Sequence, residues 1–132
     1  MISHQALCNH TQWMQDAFPL NEKDKVLQKT PISFDASVWE FYAPLVVGAQ
    51  LVMAQPDWRK DSSSLIEMIA QHQITIVQMV PSLLQVIISL EKIKTITSLK
   101  RIFCGGERLS LTLMVETFNK LNIELINLYG PT

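Results

Sequence analysis

The chain has 132 residues, enough for one domain with a real core and not comfortably for two. It is 48% hydrophobic and 17% charged with a formal charge of -1, which gives no support for nucleic-acid binding or for attachment to an anionic membrane surface. The longest apolar-leaning run, residues 41–54, is broken by Pro44, Gly48 and Gln50 and is too short to span a bilayer, and Met1-Ile2-Ser3-His4-Gln5 has neither the basic region nor the apolar core of a signal peptide.

Ala6, Leu7, His10, Trp13, Met14, Ala17 and Phe18 recur at helical spacing and predict an amphipathic helix over 4–17, ended by Pro19 and Asn21-Glu22-Lys23-Asp24. Residues 25–29 form a short strand candidate. Pro31 leads into Phe34-Asp35-Ala36-Ser37-Val38-Trp39-Glu40, a turn into a helix over 37–47 that Gly48 ends as a C-cap. Ser37-x-x-Glu40 has the form of a capping box. A strand over 50–54 and a polar loop, Pro56-Asp57-Trp58-Arg59-Lys60, follow. Ser64-x-x-Glu67 is a second capping box and starts a helix to about residue 72.

Residues 74–79 are rich in β-branched side chains and predict a strand. Pro81 and Ser82 open a helix over 83–90 that is apolar almost all round and is expected to be buried. Residues 92–98 connect it to a strand over 99–103, closed by Cys104-Gly105-Gly106. A helix over 110–121 carries Leu111, Met114, Val115, Phe118 and Leu121 on one side, and 124–128 is the last strand.

Strict alternation of helix and strand implies crossover units: an α/β fold with a mainly parallel sheet and covering helices. In such sheets ligands bind beyond the carboxyl ends of the strands. Phe34-Asp35, Cys104-Gly105-Gly106-Glu107 and Tyr129-Gly130-Pro131-Thr132 all fall there, and Gln78 lies near the end of its strand. Asp35 is either a helix cap or the partner of a ligand ammonium. The two glycine turns are either plain βα turns or places where the backbone approaches a flat ligand closely. Tyr129 offers a face for a base, and Thr132 a hydroxyl for a phosphate or metal. Neither GxxxxGK[ST] nor GxGxxG is present, and no Ser-His-Asp or Cys-His arrangement stands out. His4, His10 and His72 form no HxxxH or HExxH pattern, and Cys8 and Cys104 lack ligand spacing, so no metal site is expected. Both cysteines are expected to be reduced, in a cytoplasmic protein.

In this order, FDASVWE, CGGE and NLYGPT, with the intervening NHTQWMQ, QKTPISFD and GAQLVMA, resemble the adenylation domain of nonribosomal peptide synthetases, an AMP-binding, adenylate-forming family. The resemblance covers essentially all 132 residues. It implies activation of an amino acid with ATP and Mg²⁺ to an aminoacyl-adenylate, then transfer to the phosphopantetheine thiol of a carrier domain, with carrier and condensation domains of the same assembly line as partners. By motif, Asp35 would pair with the substrate α-ammonium. The side-chain pocket would be lined by Ala36, Trp39, Gln78, Phe103, Gly105 and Leu128. Tyr129 would stack on adenine, with Gly106, Glu107, Asn127 and Gly130 at that site, and Thr132 would reach toward phosphate and metal. Gln78 is the one neutral lining group that both donates and accepts, so it complements another amide. Glutamine is therefore the expected substrate and glutamate the next, unless Gln78 is bonded to neighbouring backbone.

The resemblance also implies what lies outside these residues: the Gly/Ser/Thr-rich phosphate loop, the acidic residue after YGPT, the ribose-binding aspartate, the hinge, and the C-terminal lobe with its catalytic lysine. The chain is thus expected to be one partial domain, truncated at both ends, from the large N-terminal lobe of an adenylate-forming enzyme. It is expected to hold no catalytic or metal-ligating residue of its own and to be inactive alone. The other readings are an acyl-CoA or aryl-acid ligase of the same superfamily, which would leave Asp35 unpaired, and a truncated non-catalytic nucleotide-binding or interaction module.

Overall fold

The computed structural model describes residues 1–55, 58 and 61–129. Their elements run α1 (His4–Ala17), β1 (Lys25–Gln28), α2 (Ala36–Val46), β2 (Gln50–Met53), α3 (Ser62–His72), β3 (Ile76–Met79), α4 (Pro81–Ser89), β4 (Arg101–Cys104), α5 (Leu111–Lys120) and β5 (Glu124–Asn127), with a 3-10 turn over Glu91–Thr95. The strands form one five-stranded sheet in the order β2-β1-β3-β4-β5, parallel at every neighbouring pair. This is the α/β architecture that the alternation implies.

Side chains on successive strand residues point to opposite faces, and the core divides accordingly. Val26, Ile76 and Phe103 face α1 and α2, where they meet Met14, Trp39 and Ala43. Leu27, Val77, Ile102 and Cys104 face the other way, against Leu65, Ile66 and Ile69 of α3, Leu84, Ile87 and Ile88 of α4, and Leu113 of α5. Each fully buried Leu or Ile contributes about 1.5–3 kcal/mol, so the second face supplies most of the apolar stabilisation.

The chain moves outward from β1 to β2 through α2, then returns across β1 to β3 through α3. Crossovers keep one hand, so reversing direction puts the helices on opposite faces. The reversal falls between β1 and β3, which makes their carboxyl ends a topological switch point. The β1–β3 ladder is recorded at one pair, Val26 with Ile76. The other three ladders run over four pairs each.

Several local expectations are corrected. Ser37 does not cap α2: its hydroxyl donates to the Phe34 carbonyl at 2.7 Å, and Glu40 turns inward rather than back to a cap. Asp61, not Ser64, caps α3, accepting from the Ser63 N–H at 3.0 Å, while Glu67 pairs with Lys92 on the surface. A carboxylate three residues upstream outcompeted the serine because its backbone there is extended, as a cap requires. The α4 helix buries one stripe only: Pro81, Leu84, Ile87 and Ile88 are buried and Val86 is 46% exposed. The third strand begins at Ile76, and just before it the Thr75 N–H donates to the Lys25 carbonyl of β1 and the Thr75 hydroxyl to Asp24. No helix among the described residues is long and apolar enough to cross a membrane.

Candidate functional site

The segment between β1 and α2 folds into tight turns. The Phe34 N–H donates to the Pro31 carbonyl at 2.9 Å, the Ser37 N–H to Phe34 at 3.0 Å, and the Val38 N–H to Asp35 at 2.9 Å. Asp35 has helical backbone angles (φ -58°, ψ -31°) and its side chain makes no capping bond. A cap needs extended backbone so that its side chain can reach the first-turn N–H groups. The exposed Asp35 carboxylate therefore carries no hydrogen bond among the described residues, and the helix-cap alternative falls away.

Five residues on, Glu40 is wholly buried. Its carboxylate accepts from the Lys29 N–H at 3.1 Å, the Thr30 N–H at 2.9 Å and the Thr30 hydroxyl at 2.6 Å. Burial pushes the Glu40 carboxyl above its ordinary value, against the pull of the Thr30 hydrogen bonds and the Lys29 charge.

Trp39 and Phe103 meet edge to face with ring centroids 4.8 Å apart, and Phe18 meets Phe103 edge to face at 5.4 Å. Phe103 is fully buried and Trp39 nearly so, so Phe103 braces the indole from beneath. Gln78, half-buried on the same face of the sheet as Phe103, donates from Nε2 to the Ala36 carbonyl across a long 3.5 Å contact. No donor among the described residues reaches its Oε1. The structure thus brings Ala36, Trp39, Gln78 and Phe103 together at the switch point, with Asp35 at the rim.

The β4 and β5 turns lie beside them. A Cβ on Gly105 would meet Leu128 Cβ at 3.8 Å, so these two residues face each other. Gly106 has φ +79°, in the region that favours glycine, and a Cβ there would meet Val80 Cγ1 at 3.4 Å. Glu107 meets Ser82, just past the carboxyl end of β3, with both oxygens: Oε2 accepts from the N–H at 2.9 Å and Oε1 from the hydroxyl at 2.9 Å. Asn127 Oδ1 accepts from the Tyr129 N–H at 3.0 Å, and the Leu128 N–H donates to Cys104. The Tyr129 ring is about half exposed. Gly130 and Thr132 lie outside the described residues. Among the described residues no group of three or more His, Cys, Asp or Glu side chains could hold a metal ion. Burial pushes the Cys104 thiol up to about 12, despite the nearby Lys29 charge, which leaves it unreactive.

Sequence reasoning missed Glu40, Thr30 and Ser82. A glutamate flanked by Trp39 and Phe41, with Ala43 and Pro44 beyond, was the available signal: a carboxylate on the apolar side of a helix is buried and so must be paired.

Comparison with known proteins bears on this arrangement. The family model described as AMP-binding enzyme matches residues 1–132. Tyrocidine synthase 3 of Brevibacillus parabrevis is 53% identical over 132 residues, covering 100% of this chain and 2% of that protein. Indigoidine synthase of Streptomyces lavendulae is 42% identical over 133 residues, again 100% of this chain and 10% of that protein. The chain thus spans a small part of the relatives it matches. Among solved structures, the Vibrio cholerae adenylation domain AlmE, in complex with glycyl-adenosine-5'-phosphate, superposes with TM-score 0.87 at 27% identity over 98% of this chain and 24% of that one. The nonribosomal peptide synthetase FmoA3 superposes with TM-score 0.89 at 21% identity over 98% of this chain and 14% of that one, a likeness of fold.

Proposed function

The chain belongs to the AMP-binding enzyme family, and we propose that it supplies the amino-acid-selecting part of a larger adenylating domain of the nonribosomal peptide synthetase kind. That domain would activate an amino acid with ATP to an aminoacyl-adenylate and pass it to the phosphopantetheine of a carrier domain, with condensation domains beside it. The observation that carries the reading is the convergence of Asp35, Ala36, Trp39, Gln78 and Phe103 at the switch point between β1 and β3.

Asp35 binds the α-ammonium of the substrate. Its carboxylate is exposed and uncommitted, whereas a ligand acid lacking an amino group would leave it unpaired, so the acyl-CoA and aryl-acid alternatives are disfavoured. Gln78 reads the substrate side chain. Its Nε2 does meet backbone, the Ala36 carbonyl, at 3.5 Å, the alternative that sequence left open, so the reading rests on Oε1 alone as an acceptor for an incoming N–H. A glutamine amide supplies that donor and an ionised glutamate does not, so glutamine is preferred over glutamate. Gly105 and Leu128 close the pocket.

ATP supplies the adenylyl group and the driving force of the activation. Gly106, Asn127 and Tyr129 fit its adenine in kind: a glycine without a Cβ, a side chain held by its own turn, and a half-exposed aromatic ring. Glu107 lies on the same turn and is exposed; it holds Ser82 at the start of α4, and each of its oxygens keeps a lone pair for a ligand donor. The chain spans 2% of tyrocidine synthase 3 and 24% of the AlmE adenylation domain, and on this reading it does not activate an amino acid by itself. Amino-acid-dependent exchange of pyrophosphate into ATP by the 132-residue chain alone would overturn that last statement.

The test of specificity is Gln78→Leu in the complete adenylating domain, with exchange measured for glutamine, glutamate and leucine. Preference for glutamine should fall by about fivefold or more, since an unmatched buried amide costs about 1–3 kcal/mol. An unchanged preference would defeat the role given to Gln78.

A further inference from the structure

We propose that Glu40 is a positioning residue, a clasp that closes the loop carrying Asp35 and holds that carboxylate where the substrate ammonium must sit. Its hydrogen bonds join residues ten and eleven apart in the chain, Thr30 and Lys29 to Glu40. Everything between them, including Asp35, Ala36 and Trp39, lies on the closed ring. Without the clasp, the stretch from Thr30 to Asp35 would be tied only by its internal turns and by the contacts of Ala36 and Trp39 at the helix start.

Three features support a role beyond packing. Glu40 is fully buried, and a buried carboxylate is costly unless donors surround it. Three donors do, all within 3.1 Å, and two of them are backbone N–H groups just past the carboxyl end of β1. Those two N–H groups have left the β-ladder, so the carboxylate supplies the partner that a neighbouring strand would otherwise provide. The same helix also presents Trp39 to Phe103 and the Ala36 carbonyl to Gln78. One side chain thereby registers the loop, the helix start and the pocket wall against the end of β1. Preorganised sites need such a supporting shell, because small displacements of a binding group are expensive.

The inference rests on the function proposed above, and its test separates the two. In the complete adenylating domain, Glu40→Gln keeps the side-chain volume but removes the charge and turns an NH₂ toward donors. Thr30→Val removes only the hydroxyl partner. The Asp35 contact is made equally in ground and transition state, so its displacement raises the KM for the amino acid and not the kcat. Glu40→Gln should raise the amino-acid KM about tenfold or more, the loss of a charge-assisted hydrogen bond. The KM for ATP and kcat should stay within about twofold. Thr30→Val should move the amino-acid KM the same way by less, and Thr30→Ser should restore it.

An unchanged amino-acid KM in Glu40→Gln, or equal rises in both KM values, overturns the clasp. If Glu40→Gln does not fold, the Thr30→Val and Thr30→Ser pair decides. If the wild-type domain exchanges pyrophosphate with no amino acid, the proposed function fails by itself. The clasp is then read from hydrogen exchange: lost protection at the Lys29 and Thr30 amides in Glu40→Gln supports it, and unchanged protection overturns it.

Discussion

The Asp24 carboxylate and the Lys100 ammonium meet at 3.0 Å beneath the amino end of the sheet, 76 residues apart in the chain. Asp24 precedes β1 and Lys100 precedes β4, and Thr75, just before β3, donates its hydroxyl to the same Asp24 oxygen at 3.2 Å. One carboxylate therefore ties three strand starts together, at the opposite end of the sheet from the site.

This arrangement sets an acid limit on stability. Burial alone would raise the Asp24 carboxyl. The Lys100 hydrogen bond and charge, the Asn21 N–H and the Thr75 hydroxyl outweigh it and hold the group below its ordinary value. The stability that Asp24 contributes is then present above the ordinary aspartate value and is lost as pH falls through the depressed one. Asp24→Asn should lower stability at neutral pH and flatten the acid limb of a urea-midpoint profile. Lys100→Ala should do less, because its side chain is 58% exposed and such a pair is screened. An acid limb unchanged in Asp24→Asn would show that other carboxylates set it.

Glu40 acts in the opposite direction. Its carboxyl is raised by burial, so its contribution is fully present below the ordinary glutamate value and declines as pH rises through the elevated one. Glu40→Gln should therefore narrow its deficit against wild type as pH climbs through that window. Urea midpoints of the two proteins across the window check it, and a deficit that widens steadily with pH would contradict the sign.

The aromatic wedge is the costliest place to cut the core on the site side. Phe103→Ala removes the ring that braces Trp39 and touches Phe18, and should destabilise the chain by about 3–5 kcal/mol. Phe103→Leu should cost distinctly less. Equilibrium unfolding followed by tryptophan fluorescence measures both, and equal losses would mean that ring geometry contributes nothing beyond volume.

Gly106 carries a backbone requirement separate from packing. Gly106→Ala should cost about 1–2 kcal/mol for the left-handed φ, with a smaller increment from Val80 Cγ1 at 3.4 Å. The Gly106→Ala/Val80→Ala pair should recover only that increment. Full recovery in a double-mutant cycle would assign the whole effect to the valine.

The two cysteines should react very differently. Cys8 is exposed on α1, and Cys104 is buried with its thiol pushed to about 12. Brief treatment with iodoacetamide at pH 8 should give one adduct, at Cys8, by peptide mass spectrometry. A second adduct under native conditions would mean that β4 opens readily.

The sheet, its parallel sense and nearly every element were legible in the sequence, because β-branched runs such as Ile74-Thr75-Ile76-Val77 alternate with helix-length segments, but the buried side of α5 was not: Leu111, Val115 and Phe118 of the expected stripe are exposed, and Leu113, Thr117 and Leu121 are buried instead. Helix starts were less so. Ser37 and Ser64 sit at the right spacing from a glutamate, but a cap is decided by backbone angles, and those were set by the turns before them. Most of the site stretches could be seen as motifs. The partners of Glu40 and Glu107 could not, since each bond joins segments brought together only by the crossovers: Glu40 to the end of β1, and Glu107 to the start of α4.

The thin seam between β1 and β3 has a consequence for how such a chain can change over generations. Asp35 belongs to a ring closed within residues 29–40, whereas Gln78, Phe103, Gly105 and Leu128 ride on or just beyond β3, β4 and β5, which are joined by ladders of four pairs each. The two groups face one another across a boundary whose ladder is recorded at a single pair. Gln78 and Phe103 touch the ring at Ala36 and Trp39, whereas a substitution at Gly105 or Leu128 would alter the shape offered to a side chain without touching it. On the function proposed above, the grip on the ammonium and the reading of the side chain would rest on separately braced parts, and new preferences would be reachable by single steps at Gly105 or Leu128 that leave the Glu40 ring intact.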